Sequence, residues 1–464
     1  MGEFDLETIK ATSLEWIDKS EKRLNQISRD IWEFAELAFH EFKSSDLLVS
    51  ELRAAGFNVE RGQARMPTAF VGTYRCGSGK PVIGIIAEYD AMPGAHPDNP
   101  DQPGHSCGHN LFGTAGVAAG IAAKEAMTTH GVGGTVKVFG TPAEETEGGK
   151  LWMIREKVFD DCDIMLTWHP QPMNIVAYNG NLALIKLEVD FYGRSAHPGT
   201  EPEKGRSALD GLQLFTIACE FLREHMIDEM KLHYIVTHGG KAPNVVPDYA
   251  QCRMILRGPT MEDVEHVRNR DGGLEDCAKG AALASGTKVE MRCVGGHYEE
   301  VPSKTGAYIM YENMKAIGAP KYNEEEIAFA KSRNYNIIDD NIYEPENVKI
   351  RASHDTGDVS WIVPTICGMS TTCMAKGTPG HSIDRAAFCG MSIGQKGMIY
   401  AAKIMATTAL DLMLSPEKVK SVIEEWNKRL KSAAPYRPIL GRETWPPIPE
   451  ENPPDFQGPP PQLD

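Results

Sequence analysis

The chain predicts an α/β fold, a doubly wound mixed sheet interrupted by an inserted α+β sandwich. Three observations carry this. Apolar, β-branched runs alternate with helical patterns over about the first 180 residues, as a largely parallel sheet with crossover helices requires. At 182–192 the pattern becomes LALIKLEVDFY, whose apolar/polar alternation marks a half-exposed antiparallel strand. Helical pattern returns from about residue 303, so the first unit resumes after the insertion.

Each element has its own justification. Residues 6–42 read as one helix, because Ile17, Leu24, Ile27, Ile31 and Leu37 approximate the three-and-four spacing of a buried face. Residues 81–90, PVIGIIAEYD, are a continuous apolar run closing on acids, which reads as a buried parallel strand with carboxylates at its C-terminal edge. The Gly- and Ala-rich stretch 113–127 reads as a close-packed helix, and 135–140 and 163–168 as the next strands. The inserted unit follows as strand 182–192, helix 205–224, strands 232–237 and 250–256, helix 261–284 and strand 288–294, an order that suits a sandwich with one open sheet face. A further strand is expected at 364–372 and the last helices run to about 430. The expected division is therefore 1–181 with 301–432 as one discontinuous domain, 182–300 as the insertion, and 433–464 as a Pro-rich, extended tail.

A length of 464 residues supports two domains. The net charge of −16 argues against nucleic acid and anionic membranes as partners. An anionic small molecule stays open, since a local pocket can invert the global sign. The opening MGEFDLETIK is acidic and lacks a signal-peptide pattern, and Leu6 stands where a myristoylation site needs Ser or Thr. The apolar stretch 111–123 is too short to span a bilayer. Ten cysteines without a C-x-x-C pair imply reduced thiols and a cytoplasmic protein.

Four stretches bring metal-ligand chemistry, three of them directly after an expected strand: GHSCGHN (104–110), TPAEE (141–145), LTWHP (166–170) and GTPGHS (377–382). In open α/β sheets ligands bind at the carboxyl ends of strands. Cys107 and His109, two apart in a Gly-flanked turn, offer a thiolate and an imidazole to a transition metal; the plain alternative is a buried thiol beside a solvated ring. Glu144 and Glu145 fit one metal-bound carboxylate and one that holds water, or else an acidic loop. His169 is a ligand or a hydrogen-bonded strand cap. His381 lies in a Gly/Pro turn where backbone approaches a ligand closely. Asp90 could orient a ligating histidine, or end its strand in solvent. Joint occurrence, rather than any single residue, favours the metal reading.

In the order EYDAMPG, GHSCGHN, TPAEE, TWHP, GRSAHPG, NVVPD, GDVSW and GTPGHS, these motifs resemble the aminoacylase and carboxypeptidase-G-type metallopeptidase family, in its amidohydrolase branch, over roughly residues 15–430. The resemblance implies a catalytic domain carrying two divalent metal ions per subunit (zinc or manganese, with cobalt possible) and an inserted dimerisation (lid) domain. It assigns Cys107, His109, Glu145, His169 and His381 as ligands, Cys107 where relatives outside the branch carry a bridging aspartate. It assigns Glu144 as general base and Asp90 as the residue that orients a ligand. It also implies a homodimer in which His197 enters the partner's site to stabilise an oxyanion, with Asn244 and Arg257 holding substrate. On the residues alone, His197 reads as an exposed loop histidine and Arg257 as a strand-edge charge. The implied activity is hydrolysis of an amide C–N bond in an N-acyl amino acid, aromatic acyl-glutamate or dipeptide. Hydrolytic deamination of an aromatic amine and a non-catalytic metal-binding partner subunit are the alternatives. Glu88 in EYD, where the family's usual acid is Asp, and His354 in the segment before GDVSW depart from the pattern or lie outside it.

Overall fold

The computed structural model describes residues 5–146, 148–178, 180–347, 352–431, 433–440 and 446. Helix α1 (Leu6–Phe34) buries Ile9, Ile17, Leu24, Ile27 and Ile31 along one face. It ends short of the expected residue 42, because the chain turns left-handed at Ala35 (φ 41°) and Phe39 (φ 62°). Leu37 fits the helical spacing but pairs as an isolated bridge with Ala91, a backbone contact that side-chain periodicity does not register. A second helix, α2 (Phe42–Ala54), and the hairpin strands β1 (Asn58–Arg61) and β2 (Phe70–Cys76) follow. Neither the helix nor the hairpin was expected.

Then come β3 (Val82–Ala87), α3 (His109–His130), β4 (Gly134–Gly140), α4 (Lys150–Arg155), β5 (Ile164–Leu166), and the short β6 (His169–Gln171) and β7 (Ile175–Val176). Every residue of β3 is buried, as its unbroken apolar run requires. Helix α3 lies close against β3: a Cβ on Gly116 would sit 2.6 Å from the Ile86 carbonyl oxygen, so only glycine permits this approach.

The insertion comprises β8 (Ala183–Tyr192), α5 (Ala208–Arg223), β9 (Lys231–His238), β10 (Tyr249–Gly258), α6 (Met261–Asn269), α7 (Leu274–Ser285) and β11 (Lys288–His297). Its antiparallel sheet has the order β11-β8-β10-β9. Alternation sorts its faces. Ile185, Leu187, Val189 and Phe191 pack with Leu212, Phe215 and Val264 from the helices. Glu188 on the other face pairs with Arg253 at 3.0 Å and Arg292 at 2.9 Å. The single helix expected over 261–284 is instead two, α6 and α7. Gly272 adopts φ 67° between them, and Gly273 precedes α7, a Gly-Gly break that interrupts the helical pattern.

The chain then returns through α8 (Lys304–Ile317), α9 (Glu324–Ser332), α10 (Thr356–Ile362), β12 (Thr365–Ile366), β13 (Met369–Thr372), α11 (Ile383–Cys389), α12 (Ser392–Leu414) and α13 (Pro416–Leu430). The strand expected at 364–372 is two strands in different sheets. Gly368 (φ 81°) turns the chain between them, with room for no Cβ, which would lie 2.2 Å from the Ala177 carbonyl oxygen. Helix α12 is long and apolar enough to cross a membrane, yet 89% of its most apolar window is buried inside the protein, where it packs on α1, α3 and α8. Most of the Pro-rich tail lies outside the described residues. Within 433–440, Tyr436 donates to Asp358 at 3.0 Å.

The main sheet runs β1-β2-β4-β3-β5-β12. Strands β4, β3, β5 and β12 are parallel neighbours, while β1, β2 and β4 pair antiparallel. The C-terminal ends of β3, β4 and β5 therefore open on one edge, and the chemistry collects there.

Candidate metal centre

Beyond β3 the chain places Glu88 and Asp90; beyond β4, Glu144 and Glu145; beyond β5, His169. The start of α3 adds Cys107 and His109. Gly108 between them adopts φ 85°, and a Cβ there would lie 3.0 Å from both Cys389 Sγ and Pro170 Cγ. Asp90 serves two of the group at once. Its Oδ1 accepts from His109 Nδ1 at 2.9 Å and its Oδ2 accepts from the Glu145 N–H at 2.9 Å. His109 Nε2 is thereby turned into the cluster, where it is buried without a hydrogen-bond partner.

The Glu144–Glu145 turn is held from behind. Ala143, at φ 60°, is left-handed without being glycine, which costs roughly 1–2 kcal/mol. Its N–H donates to Glu41 Oε1 at 2.8 Å, and Thr68 donates to Glu41 Oε2 at 3.0 Å. Burial, with Asp90 nearby, pushes the Glu41 carboxyl up to about 8. His381 shares the left-handed conformation (φ 56°), and its Nε2 lies 3.9 Å from Glu145 Oε2.

His169 donates through Nδ1 to the Pro170 carbonyl at 3.0 Å, so the lone pair on Nε2 faces Cys107 Sγ at 3.4 Å. Burial holds the His169 ring well below the ordinary imidazole pKa, hence neutral and able to ligate. Burial also pushes the Cys107 thiol up to about 12, and the Glu145 charge adds to this. A thiolate here needs a cation beside it.

Three ligand groups have their donor atoms within 4.8 Å of one another at this edge: Cys107, His109 and His169; Cys107, Glu145 and His381; and Glu88, His109 and Glu144. All five ligands expected from the sequence converge, and Cys107 is common to two groups. His109 Nε2 and Glu145 Oε1 are buried orphans. Sulfur, nitrogen and carboxylate donors gathered around one point, a nitrogen and a carboxylate oxygen of them without a hydrogen-bond partner, fit divalent transition-metal ions.

Glu144 is pushed up to about 8 by burial, with Glu145 and Glu88 adding and His354 opposing. A carboxyl poised near neutrality suits a general base. It opens on a cavity of about 400 Å³ whose walls come from both units, with Cys107, Glu145, His169 and His381 on one side and Leu184 and Arg257 on the other. Arg257 Nε is a buried orphan there. His197 and Asn244 are exposed on the insertion and do not line this cavity within one chain.

Sequence reasoning passed over five residues of this neighbourhood or left them without a role. Glu41 anchors the turn. Lys150 Nζ lies 2.6 Å from both Glu88 Oε1 and Asp355 Oδ1, all three side chains being fully buried. His354 Nε2 lies 3.4 Å from Glu88 Oε2 and 3.6 Å from Glu144 Oε1. Glu88, His354 and Asp355 form a fourth candidate ligand group, but the Lys150 ammonium already supplies its cation. The available signal for Lys150 was a single charge opening the apolar run KLWMI.

Residues 179–270 match the family described as peptidase dimerisation domain. The chain is 36% identical to a p-aminobenzoyl-glutamate hydrolase subunit of Escherichia coli, covering 90% of this chain and 95% of that one. It is 30% identical to Xaa-Arg dipeptidase of Homo sapiens, covering 93% and 94%. Its fold resembles that of a dinuclear metal binding peptidase of the M20 family from Bacillus subtilis, with a TM-score of 0.58 at 16% identity over 86% of this chain and 99% of that one.

Proposed function

This chain belongs to the M20 metallopeptidase family, a hydrolase of C–N bonds, and from that premise we propose that it cleaves the amide bond of a small N-acyl amino acid, aromatic acyl-glutamate or dipeptide. The relatives' names, a p-aminobenzoyl-glutamate hydrolase and an Xaa-Arg dipeptidase, support this substrate range. The observation that carries the reading is Cys107, common to two ligand groups, lining one cavity with the half-buried Glu144.

In this reading Cys107, His109, Glu145, His169 and His381 would together hold two divalent ions, zinc or manganese with cobalt also suited. Bound metal supplies a Lewis acid for the scissile carbonyl and acidifies a water. Asp90 keeps His109 and Glu145 aimed at the cluster. Glu144 accepts the proton of the attacking water and returns it to the departing amine nitrogen. Arg257, whose fork matches a carboxylate, anchors the substrate together with Asn244. His197 reaches the site from a second copy and donates to the developing oxyanion. The match of 179–270 to a dimerisation domain supports that assembly, as do Phe221 and Ile235, exposed at 71% and 64% on the insertion.

The test is turnover of the metal-reconstituted protein on a panel of N-acyl amino acids, aromatic acyl-glutamates, dipeptides and aromatic amines, read by mass spectrometry. The expected products are a free carboxylate and a free amine from an amide. Fully metal-loaded protein that turns over no amide, or only the aromatic amines, would overturn the reading. Light scattering separates a homodimer from a chain that pairs only with a different protein.

A further inference from the structure

The hydrolytic scheme leaves His354 unused, although this ring stands in the cavity wall. It immediately precedes Asp355 and α10, and it crosses the His169 ring edge-on with centroids 5.9 Å apart. Its proton can be placed. The Thr356 N–H donates to Nδ1 at 3.1 Å, so a neutral ring carries its hydrogen on Nε2, and a charged ring carries one there as well. That Nε2 is buried and makes no hydrogen bond. It faces Glu88 Oε2 at 3.4 Å and Glu144 Oε1 at 3.6 Å, distances longer than a formed hydrogen bond. Catalytic hydrogen bonds are often long before substrate enters, and they tighten in the complex.

The residues behind the ring are locked. Lys150 Nζ bonds Asp355 Oδ1 and pairs with Glu88 Oε1, and the Lys150 N–H donates to Asp355 Oδ2 at 3.2 Å. Glu88 is therefore not free to rotate, and the backbone around His354 is pinned by the Gly357 N–H donating to its carbonyl at 2.9 Å. Glu144, by contrast, follows a strained turn and has no side-chain hydrogen bond to another residue among the described residues. A fixed donor facing an unfixed carboxylate selects one of its rotamers.

We infer that His354 is a positioning residue for Glu144: its Nε2–H, backed by the Glu88–Lys150–Asp355 cluster, fixes the orientation of the base carboxylate. This rests on Glu144 being the base. No bond is made or broken at His354 itself, and its effect falls on kcat through the geometry of proton transfer.

The experiment compares His354→Leu, His354→Gln, Glu144→Asp, Glu144→Gln and the double variant Glu144→Asp/His354→Leu, with metal content and melting temperature measured for each. His354→Leu is expected to lower kcat roughly tenfold or more, with KM, metal content and melting nearly unchanged. His354→Gln, whose amide N–H reaches about where Nε2–H stands, should restore most of the loss. In the Glu144→Asp background, where the carboxylate is withdrawn by one methylene, the same His354→Leu change should cost less. The inference falls if His354→Leu keeps wild-type kcat, if Gln and Leu lose equally, if both backgrounds lose equally, or if the loss tracks metal content. Glu144→Gln separates the two claims. Its retained turnover would remove the base itself, whereas an inactive Glu144→Gln beside a fully active His354→Leu removes only the role given to His354.

Discussion

The Lys150 ammonium lies 2.6 Å from the Glu88 carboxylate, and both side chains are wholly buried. With Asp355 at the same distance from the ammonium, one cation answers two acids. Removing it as Lys150→Met takes the ammonium from Asp355 and leaves Glu88 only the His354 and His109 rings, at 3.4 Å and 3.3 Å. A loss of about 3–5 kcal/mol in urea-unfolding free energy is expected. A loss below about 1 kcal/mol would mean that the acids are neutral in the folded protein.

Asp90 steers one side chain and one backbone N–H of the candidate centre, His109 and Glu145. Asp90→Asn retains the shape but loses the acceptor strength on one side. Metal affinity should fall about 10- to 100-fold, measured by competition with a chromogenic chelator. Unchanged affinity would mean that His109 needs no such partner.

If His197 is supplied by a second copy, two inactive variants must complement each other. Glu144→Gln and His197→Ala should each be nearly silent alone. After subunits are mixed in equal amounts and allowed to exchange, one site in four carries both wild-type groups, so about a quarter of wild-type turnover should return. No recovery despite proven exchange would place the His197 function within its own chain, or nowhere.

His297 carries a pH-dependent stability term. Burial, with Lys186 adding, lowers its pKa to about 3 from the ordinary 6.5. Between these values the unfolded chain binds a proton that the folded one does not. Stability should therefore fall as pH drops below about 6.5, by up to about 1.4 kcal/mol per unit. His297→Gln should flatten this slope in denaturant melts of metal-free protein at about pH 7 and about pH 5. An identical slope in the variant would show that the ring titrates alike in the folded and unfolded states.

Of the candidate centre, Asp90, Glu144, Glu145 and His169 were legible because strands with continuous apolar runs announce their own C-terminal ends and these residues follow at once, whereas Cys107, His109 and His381 were legible only from their Gly-flanked turns and the family motifs. The break after Phe34 and the split at Gly368 were not, because a bridge between Leu37 and Ala91 and a close pass against Ala177 involve segments far apart in the chain.

By itself, the sequence determined the α/β class, the insertion and the stretches that carry sulfur, imidazole and carboxylate donors, since local patterning suffices for these. Only the tertiary structure decided that Lys150 answers Glu88 and Asp355, that Glu41 holds the turn before Glu144, and that His354 faces Glu144. Each is a pairing across distant parts of the chain in a low-dielectric interior, where the partner, rather than the residue, sets whether a charge is tolerable.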